Sequence, residues 1–166
     1  MSAPGHQADL IVLRRTQEAD VPTLFALEQD ERCNALAGTK PRDWPAFQAR
    51  WAEILADQDG TATRVMPRVI LEGGVVVGAV NISPQEEEDS IGYVIAPEHW
   101  GRGIATRAVA LMLAEFTKRP LFATTAATNL PSLRVLKKNG FAELSRGWSA
   151  ETPRCGARET VKLVLR

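Results

Sequence analysis

Cysteine, tyrosine and histidine are scarce in this chain of 166 residues, which holds two, one and two of them respectively. Cys33 and Cys155 stand far apart, with no Cys-x-x-Cys and no His/Cys cluster. That excludes the ligand spacing of a structural zinc site and a disulfide framework, so no metal is expected. The two thiols read as free, in a reducing compartment. With only His6 and His99 available, no Ser/His/Asp triad can be assembled. An excess of charge is also missing: Lys plus Arg and Asp plus Glu both total 20, for a net charge of zero. Nothing global then attracts a nucleic acid or an acidic membrane surface, and neither is expected as a partner. Long apolar runs are lacking too. The longest, such as residues 75–80, are far too short to span a bilayer. Residues 1–9 are polar, without the apolar core of a secretion signal, and read as a flexible tail. These absences together predict a cytoplasmic location. No linker, repeat or low-complexity tract divides the chain, so residues 1–166 are expected to form a single domain.

What is present is an ordinary globular composition, 45% apolar and 24% charged. Residues 10–13 read as a short strand. Residues 18–30 carry Val21, Leu24, Phe25 and Leu27 on one helical stripe, and residues 44–57 carry Phe47, Trp51, Ile54 and Leu55 on another. Strands are expected over residues 64–71, 75–82 and 90–96, the first two joined by a hairpin turn at Glu72-Gly73-Gly74. Residues 84–89 read as an acidic connection. Residues 103–118 form a helix apolar on nearly every side, which belongs against a sheet. A strand over 121–126 precedes a short helix over 131–138, started by Pro131 and stopped by Gly140. Strands over 141–146 and 159–165, separated by a loop, close the chain. The order β-α-α-β-β-β-α-β-α-β-β predicts an α/β (α+β) fold: a mixed, mostly antiparallel sheet, flanked by about four helices, with one βαβ crossover.

The junction between residues 96 and 103 could carry chemistry. Trp100-Gly101-Arg102-Gly103-Ile104-Ala105 puts two glycines, one residue apart, at the start of a helix. Glycine permits close approach of the backbone to a ligand. A helix start offers unpaired N–H groups and partial positive charge, an anion site suited to a phosphate. The same Gly-x-Gly alone also serves as a plain turn, and it is neither a Walker sequence nor a complete dinucleotide fingerprint. A second segment follows about thirty residues later: Asn129-x-x-Ser132-x-x-Val135-Leu136-x-x-x-Gly140-Phe141.

The pair of segments, Ile91 through Thr106 and Asn129 through Phe141, resembles the GNAT superfamily of N-acetyltransferases, in particular the branch that includes ribosomal-protein N-terminal acetyltransferases. Trp100 stands where the general pattern has Gln or Arg, a common variant in that branch. The resemblance implies a GNAT-like sheet with a V-shaped gap for acetyl-CoA, and acetyl transfer to a primary amine of a small molecule or peptide by direct attack. Backbone groups of Tyr93, Val94 and Ile95 would pair with the pantetheine arm, with the Ile95 N–H aimed at the acetyl carbonyl. The N–H groups of Gly101, Arg102, Gly103, Ile104, Ala105 and Thr106 would hold the pyrophosphate, and the Arg102 side chain could add a charged contact. Asn129 would bind the pantetheine arm, and Ser132 would give a proton to the departing thiolate. Read as bare residues, Asn129 is equally a helix cap and Ser132 a first-turn serine. Lys137 and Lys138 read as solvated last-turn charges. For removal of the amine's proton the candidates are Asp89 and Glu88. The alternative is a catalytically degenerate acyl-CoA-binding regulatory domain. A homodimer is compatible with the family.

Overall fold

The computed structural model describes residues 10–166, so the expected flexible tail over residues 1–9 lies outside the described residues. Seven strands make one sheet: β1 (Ile11–Arg15), β2 (Met66–Glu72), β3 (Val75–Gln85), β4 (Glu88–Ile95), β5 (Leu121–Ala126), β6 (Ala142–Ser149) and β7 (Arg158–Leu165). Their spatial order is β1-β2-β3-β4-β5-β7-β6. Every neighbouring pair is antiparallel except β4 and β5, which run parallel. The helices are α1 (Val21–Gln29), α2 (Glu31–Ala37), α3 (Trp44–Ala56), α4 (Ile104–Glu115) and α5 (Leu130–Lys138). The α/β class and the mostly antiparallel sheet agree with the sequence reading.

Three details differ from it. Among the described residues there are five α-helices rather than about four, because α2 follows α1 after a single residue. Asp30 starts α2 by accepting from the N–H groups of Arg32 and Cys33, and Gly38 ends it in the left-handed conformation at φ 70°. The acidic connection over residues 84–89 is mostly strand: Pro84 pairs with Asp89 and Gln85 with Glu88, leaving Glu86 and Glu87 to make the turn. Finally β6 runs on to Ser149, shortening the loop before β7.

Helices cover both faces of the sheet. On one, Ile104, Ala108, Val109 and Met112 of α4 join Leu133 and Leu136 of α5 in a core with Val80, Ile82, Ile91, Leu121 and Leu163. On the other, Val21 and Leu24 of α1 and Phe47, Trp51 and Ile54 of α3 pack on Val69 and Ala79. The junction from β1 into α1 depends on Asp20, only 7% exposed. Its carboxylate takes two bonds from the Arg14 guanidinium, at 2.9 and 3.0 Å, and one from the Gln17 N–H at 2.7 Å.

The Arg14 hydrogen bonds hold the Asp20 carboxyl below the usual carboxylate range. A depressed folded value means stability that is present above the unfolded pKa of about 3.9 and lost as pH falls through the folded value. Asp20→Asn, which removes the carboxylate charge and one of the two oxygens that accept from Arg14, is expected to cost about 1–3 kcal/mol at pH 7. In urea titrations the difference between wild type and variant should shrink below about pH 4. An equal difference at pH 7 and pH 3 would contradict this role.

Candidate active site

β4 and β5 share a single register pair, Ser90 with Phe122. Beyond it the two strands diverge, since β4 continues on β3 as far as Ile95 with Gly78 while β5 continues on β7 as far as Ala126 with Thr160. Backbone bonding on an antiparallel strand alternates sides. The Ala96 N–H donates to the Val77 carbonyl at 2.9 Å, on the β3 side. Val94, two residues earlier and opposite Ala79, therefore also turns its backbone groups to β3, while those of Tyr93 and Ile95 face the gap. This corrects the expectation for Val94: its own N–H and C=O belong to the β3 ladder.

Gly78 explains how the end of β4 is set. A Cβ there would lie 2.3 Å from the Val94 carbonyl oxygen. Only glycine allows the peptide that joins Val94 to Ile95 to approach β3 so closely, and the N–H of that peptide is the one aimed into the gap. Sequence reasoning missed Gly78. Its one signal was a glycine in the middle of a Val-rich strand, which marks close backbone approach.

Two helix starts flank the wide end of the gap. Gly101 and Gly103 have φ of 76° and 77°, and a Cβ built on either meets nothing within 4 Å. The first bond of α4 runs from the Arg107 N–H to the Gly103 carbonyl. The N–H groups of Ile104, Ala105 and Thr106 thus have no carbonyl one turn back, and the Ile104 side chain is buried below them in the core. Open space beside left-handed glycines at a helix start suits a bulky anion. Arg102 is directed differently from expectation. Its guanidinium bonds Glu72 at 2.7 Å and His99 Nδ1 at 2.8 Å, tying the turn to the end of β2.

Asn129 caps α5: its Oδ1 accepts from the Ser132 N–H at 3.2 Å. The side chain is nearly buried. Ser132 is half-buried in the first turn of the same helix. Tyr93 reaches it from β4. Burial pushes the Tyr93 phenol up, and a hydrogen bond with Ser132 opposes that shift.

Glu88 and Asp89 are not brought to this end. They begin β4, whose far end at Ile95 is six residues from Asp89, roughly 20 Å away. Asp89 is held by Arg64 at 3.0 Å and Lys118 at 2.9 Å, and Glu88 by Lys162 at 2.5 Å. The Lys118 hydrogen bond, with Arg64 beside it, keeps the Asp89 carboxyl below the usual range. These carboxylates brace the closed end of the gap, which corrects the expectation that either is the general base. Lys137, read as solvated, pairs with Glu143 at 3.2 Å. Among the described residues no three His, Cys, Asp or Glu side chains gather as a metal site, and no helix is long and apolar enough to cross a membrane.

A roof lies over the wide end. Cys33 of α2 is buried, with Sγ 3.8 Å from the Ile95 carbonyl. Residues 38–40 zip to the loop before β7: Gly156 N–H to Gly38 O at 3.0 Å, and Lys40 N–H to Arg154 O at 2.7 Å. Glu28 of α1 fastens both segments, accepting from Arg42 at 2.7 Å and Arg154 at 2.9 Å. Burial pushes the Glu28 carboxyl up, but the Arg42 hydrogen bonds and the Arg154 charge outweigh it and leave it below the usual range.

Gly78→Ala should force the Val94 carbonyl away from β3. At about 1–3 kcal/mol for an overpacked methyl and about 2–4 °C per kcal/mol at this size, the thermal midpoint should fall by several degrees. Gly92→Ala, whose Cβ meets nothing within 4 Å, should leave it nearly unchanged. Equal midpoints for the two variants would rule out the close approach.

A family model described as an acetyltransferase (GNAT) domain matches residues 11–142. No curated protein sequence matches the chain significantly. Solved structures share its fold. One is the spermidine N-acetyltransferase from Vibrio cholerae in complex with CoA and spermine, with 16% identity, 95% of each chain covered and a TM-score of 0.78. Another is RimJ of Mycobacterium smegmatis in complex with CoA-disulfide, with 25% identity, 93% of this chain and 81% of that one covered, and a TM-score of 0.71. A third, from Salmonella typhimurium, is an acetyl transferase that modifies the N-terminal serine of ribosomal protein L7/L12, with 17% identity, 94% of each chain covered and a TM-score of 0.75. With the family model spanning most of its length, around a parted strand pair and two flanking helix starts, the chain belongs to the GNAT acetyltransferase family.

Proposed function

We propose that this chain, as a single domain over residues 1–166, transfers an acetyl group from acetyl-CoA to a primary amine of a small molecule or peptide, by direct attack in a ternary complex. The observation that carries the reading is the parting of β4 from β5 after one register pair, beside the starts of α4 and α5. The residues present fit acetyl-CoA. The open left-handed turn suits its pyrophosphate, and the gap-facing backbone of Tyr93 and Ile95 suits an extended amide-bearing arm, as when a strand is added to a sheet edge. Acetyl-CoA supplies an activated acyl group as a thioester.

In this reading the N–H groups of Gly101, Arg102, Gly103, Ile104, Ala105 and Thr106 hold the pyrophosphate, and Asn129 holds the pantetheine arm. The Ile95 N–H stabilises charge that builds on the acetyl oxygen during attack. Ser132 gives its hydroxyl proton to the sulfur as the C–S bond breaks, and the proton that the amine nitrogen loses on bonding to the acetyl carbon restores the hydroxyl. The acceptor class follows the relatives, which act on spermidine and on a ribosomal-protein N-terminus. The reading includes a cytoplasmic location, is compatible with a homodimer, and assigns no nucleic-acid or membrane partner.

One observation favours a second reading, an acyl-CoA-binding regulatory domain without turnover: the two carboxylates expected to take the amine's proton are locked in ion pairs at the closed end. Thiol release from acetyl-CoA separates the two, measured with polyamines, aminoglycosides, amino acids and peptide N-termini as acceptors. Transfer predicts steady release with at least one amine. Binding of acetyl-CoA by calorimetry with no release from any of them supports the regulatory domain.

Two variants test the roles assigned. Gly103→Val puts bulk into the phosphate turn and strains a positive φ, so the Kd for acetyl-CoA should rise at least tenfold; an unchanged Kd would displace the phosphate site. Ser132→Ala keeps the backbone bond to Asn129 but loses the hydroxyl. At the lower end for proton-transfer catalysis, kcat should fall about a hundredfold, with the KM for acetyl-CoA within about twofold. Unaltered kcat would make Ser132 a helix residue only.

A further inference from the structure

The Ile95 carbonyl is fixed from both sides at the head of the gap. The Trp100 Nε1–H donates to it at 2.8 Å, and the Cys33 thiol lies 3.8 Å from it. The N–H of the same peptide, that of Ala96, donates to the Val77 carbonyl at 2.9 Å on the β3 side. A peptide unit is planar and rigid, so bonds on opposite edges leave it little freedom to rotate. Only φ and ψ of Ile95 separate this unit from the preceding one, which carries the Ile95 N–H and is pressed against Gly78.

The three groups that meet here come from three different parts of the site. Trp100 stands in the glycine turn, Ile95 ends β4, and Cys33 belongs to the roof helix α2. A second link joins the same turn and roof: Arg32 of α2 bonds Glu98 at 3.0 Å. We propose that Trp100 and Cys33 are positioning residues, which clamp the Ile95 carbonyl and so hold the neighbouring Ile95 N–H in line for the acetyl oxygen. Trp100 then has a task unrelated to phosphate: its ring nitrogen joins the pyrophosphate end of the groove to the acetyl end. Burial pushes the Cys33 thiol up to about 11, so it keeps its proton at neutral pH and serves as a donor rather than a nucleophile. The catalytic consequence rests on the acetyl-transfer reading; the clamp itself does not.

The test uses the full chain with three substitutions and two measurements. Trp100→Phe keeps an aromatic ring and removes the N–H. Cys33→Ala removes the weak donor, and Cys33→Ser keeps one. Amide hydrogen exchange at Ala96, measured without ligand, reads the clamp; kcat and the KM for acetyl-CoA read its consequence. For Trp100→Phe, exchange at Ala96 should be at least tenfold faster, as expected when a buried acceptor loses its partner. Its kcat should fall at least tenfold with KM within about threefold. Cys33→Ala should shift both in the same sense by less, and Cys33→Ser should recover most of the difference. Unchanged Ala96 exchange in Trp100→Phe overturns the clamp, whether or not the protein turns over an amine. Faster exchange with unaltered kcat overturns its role in positioning. A wild type that releases no thiol with any acceptor overturns the acetyl-transfer reading alone, and the exchange data still decide the clamp.

Discussion

A strand that loses one neighbour leaves half of its backbone groups unpaired, and this protein is built around that condition. β4 is bonded along its whole length to β3, yet to β5 through one register pair only. Unpaired backbone at the sheet centre is costly unless something bonds to it. The Ile95 carbonyl is satisfied internally, by Trp100 and Cys33. The Ile95 N–H and the backbone of Tyr93 are left facing the gap, where an extended ligand with amide groups would complete the ladder. In the proposed transfer the chemistry would follow from the same deficit, because the N–H left over is the one that would meet a developing oxyanion.

The remainder of the fold keeps this opening from collapsing or widening. At the closed end Asp89 is braced by Arg64 and Lys118, and Glu88 by Lys162. At the wide end the Glu28 carboxylate gathers Arg42 and Arg154, fixing the roof to the loop before β7. The glycine turn is held by Arg102 on Glu72 and by Trp100 on Ile95. Most of these pairs are partly exposed, where a single ion pair adds little to stability. Their arrangement in space, three at the narrow end and several at the mouth, suits positioning better than stabilisation.

Much of this was legible in the sequence because it is written in local patterns. Period-3.6 stripes marked α1 and α3, a segment apolar on nearly every side marked α4, and Val- and Ile-rich runs marked β2, β3 and β4. The glycine pair before α4 and the Asn129/Ser132 spacing on α5 led to the family. Helix α2 was not seen, since seven residues are too few for a periodic stripe; its signals were the Asp30 cap and the Gly38 stop. The Glu86-Glu87 turn was read too long because acidic residues resemble a connection wherever they sit, and pairing between strands decides the matter. The base assignment to Asp89 or Glu88 failed for a related reason. Nearness in sequence to the reacting strand says nothing about which end of it a side chain occupies. The alternation that turns Val94 to β3 and Ile95 to the gap depends on register with β3, as does the need for glycine at position 78.

If the gap-facing edge of β4 and the adjoining glycine turn form one continuous groove for acetyl-CoA, the amides along both respond to it together. Titrating the isotope-labelled protein with acetyl-CoA, followed through its backbone amide resonances, tests this most directly. The largest shifts should fall together on Tyr93, Ile95, Gly101, Gly103, Ile104, Ala105, Thr106 and Asn129, with Val94 moving less than its two neighbours. Shifts gathered instead on the opposite edge of the sheet, along β1 and the facing side of α3, with the β4 and glycine-turn amides unmoved, would contradict it.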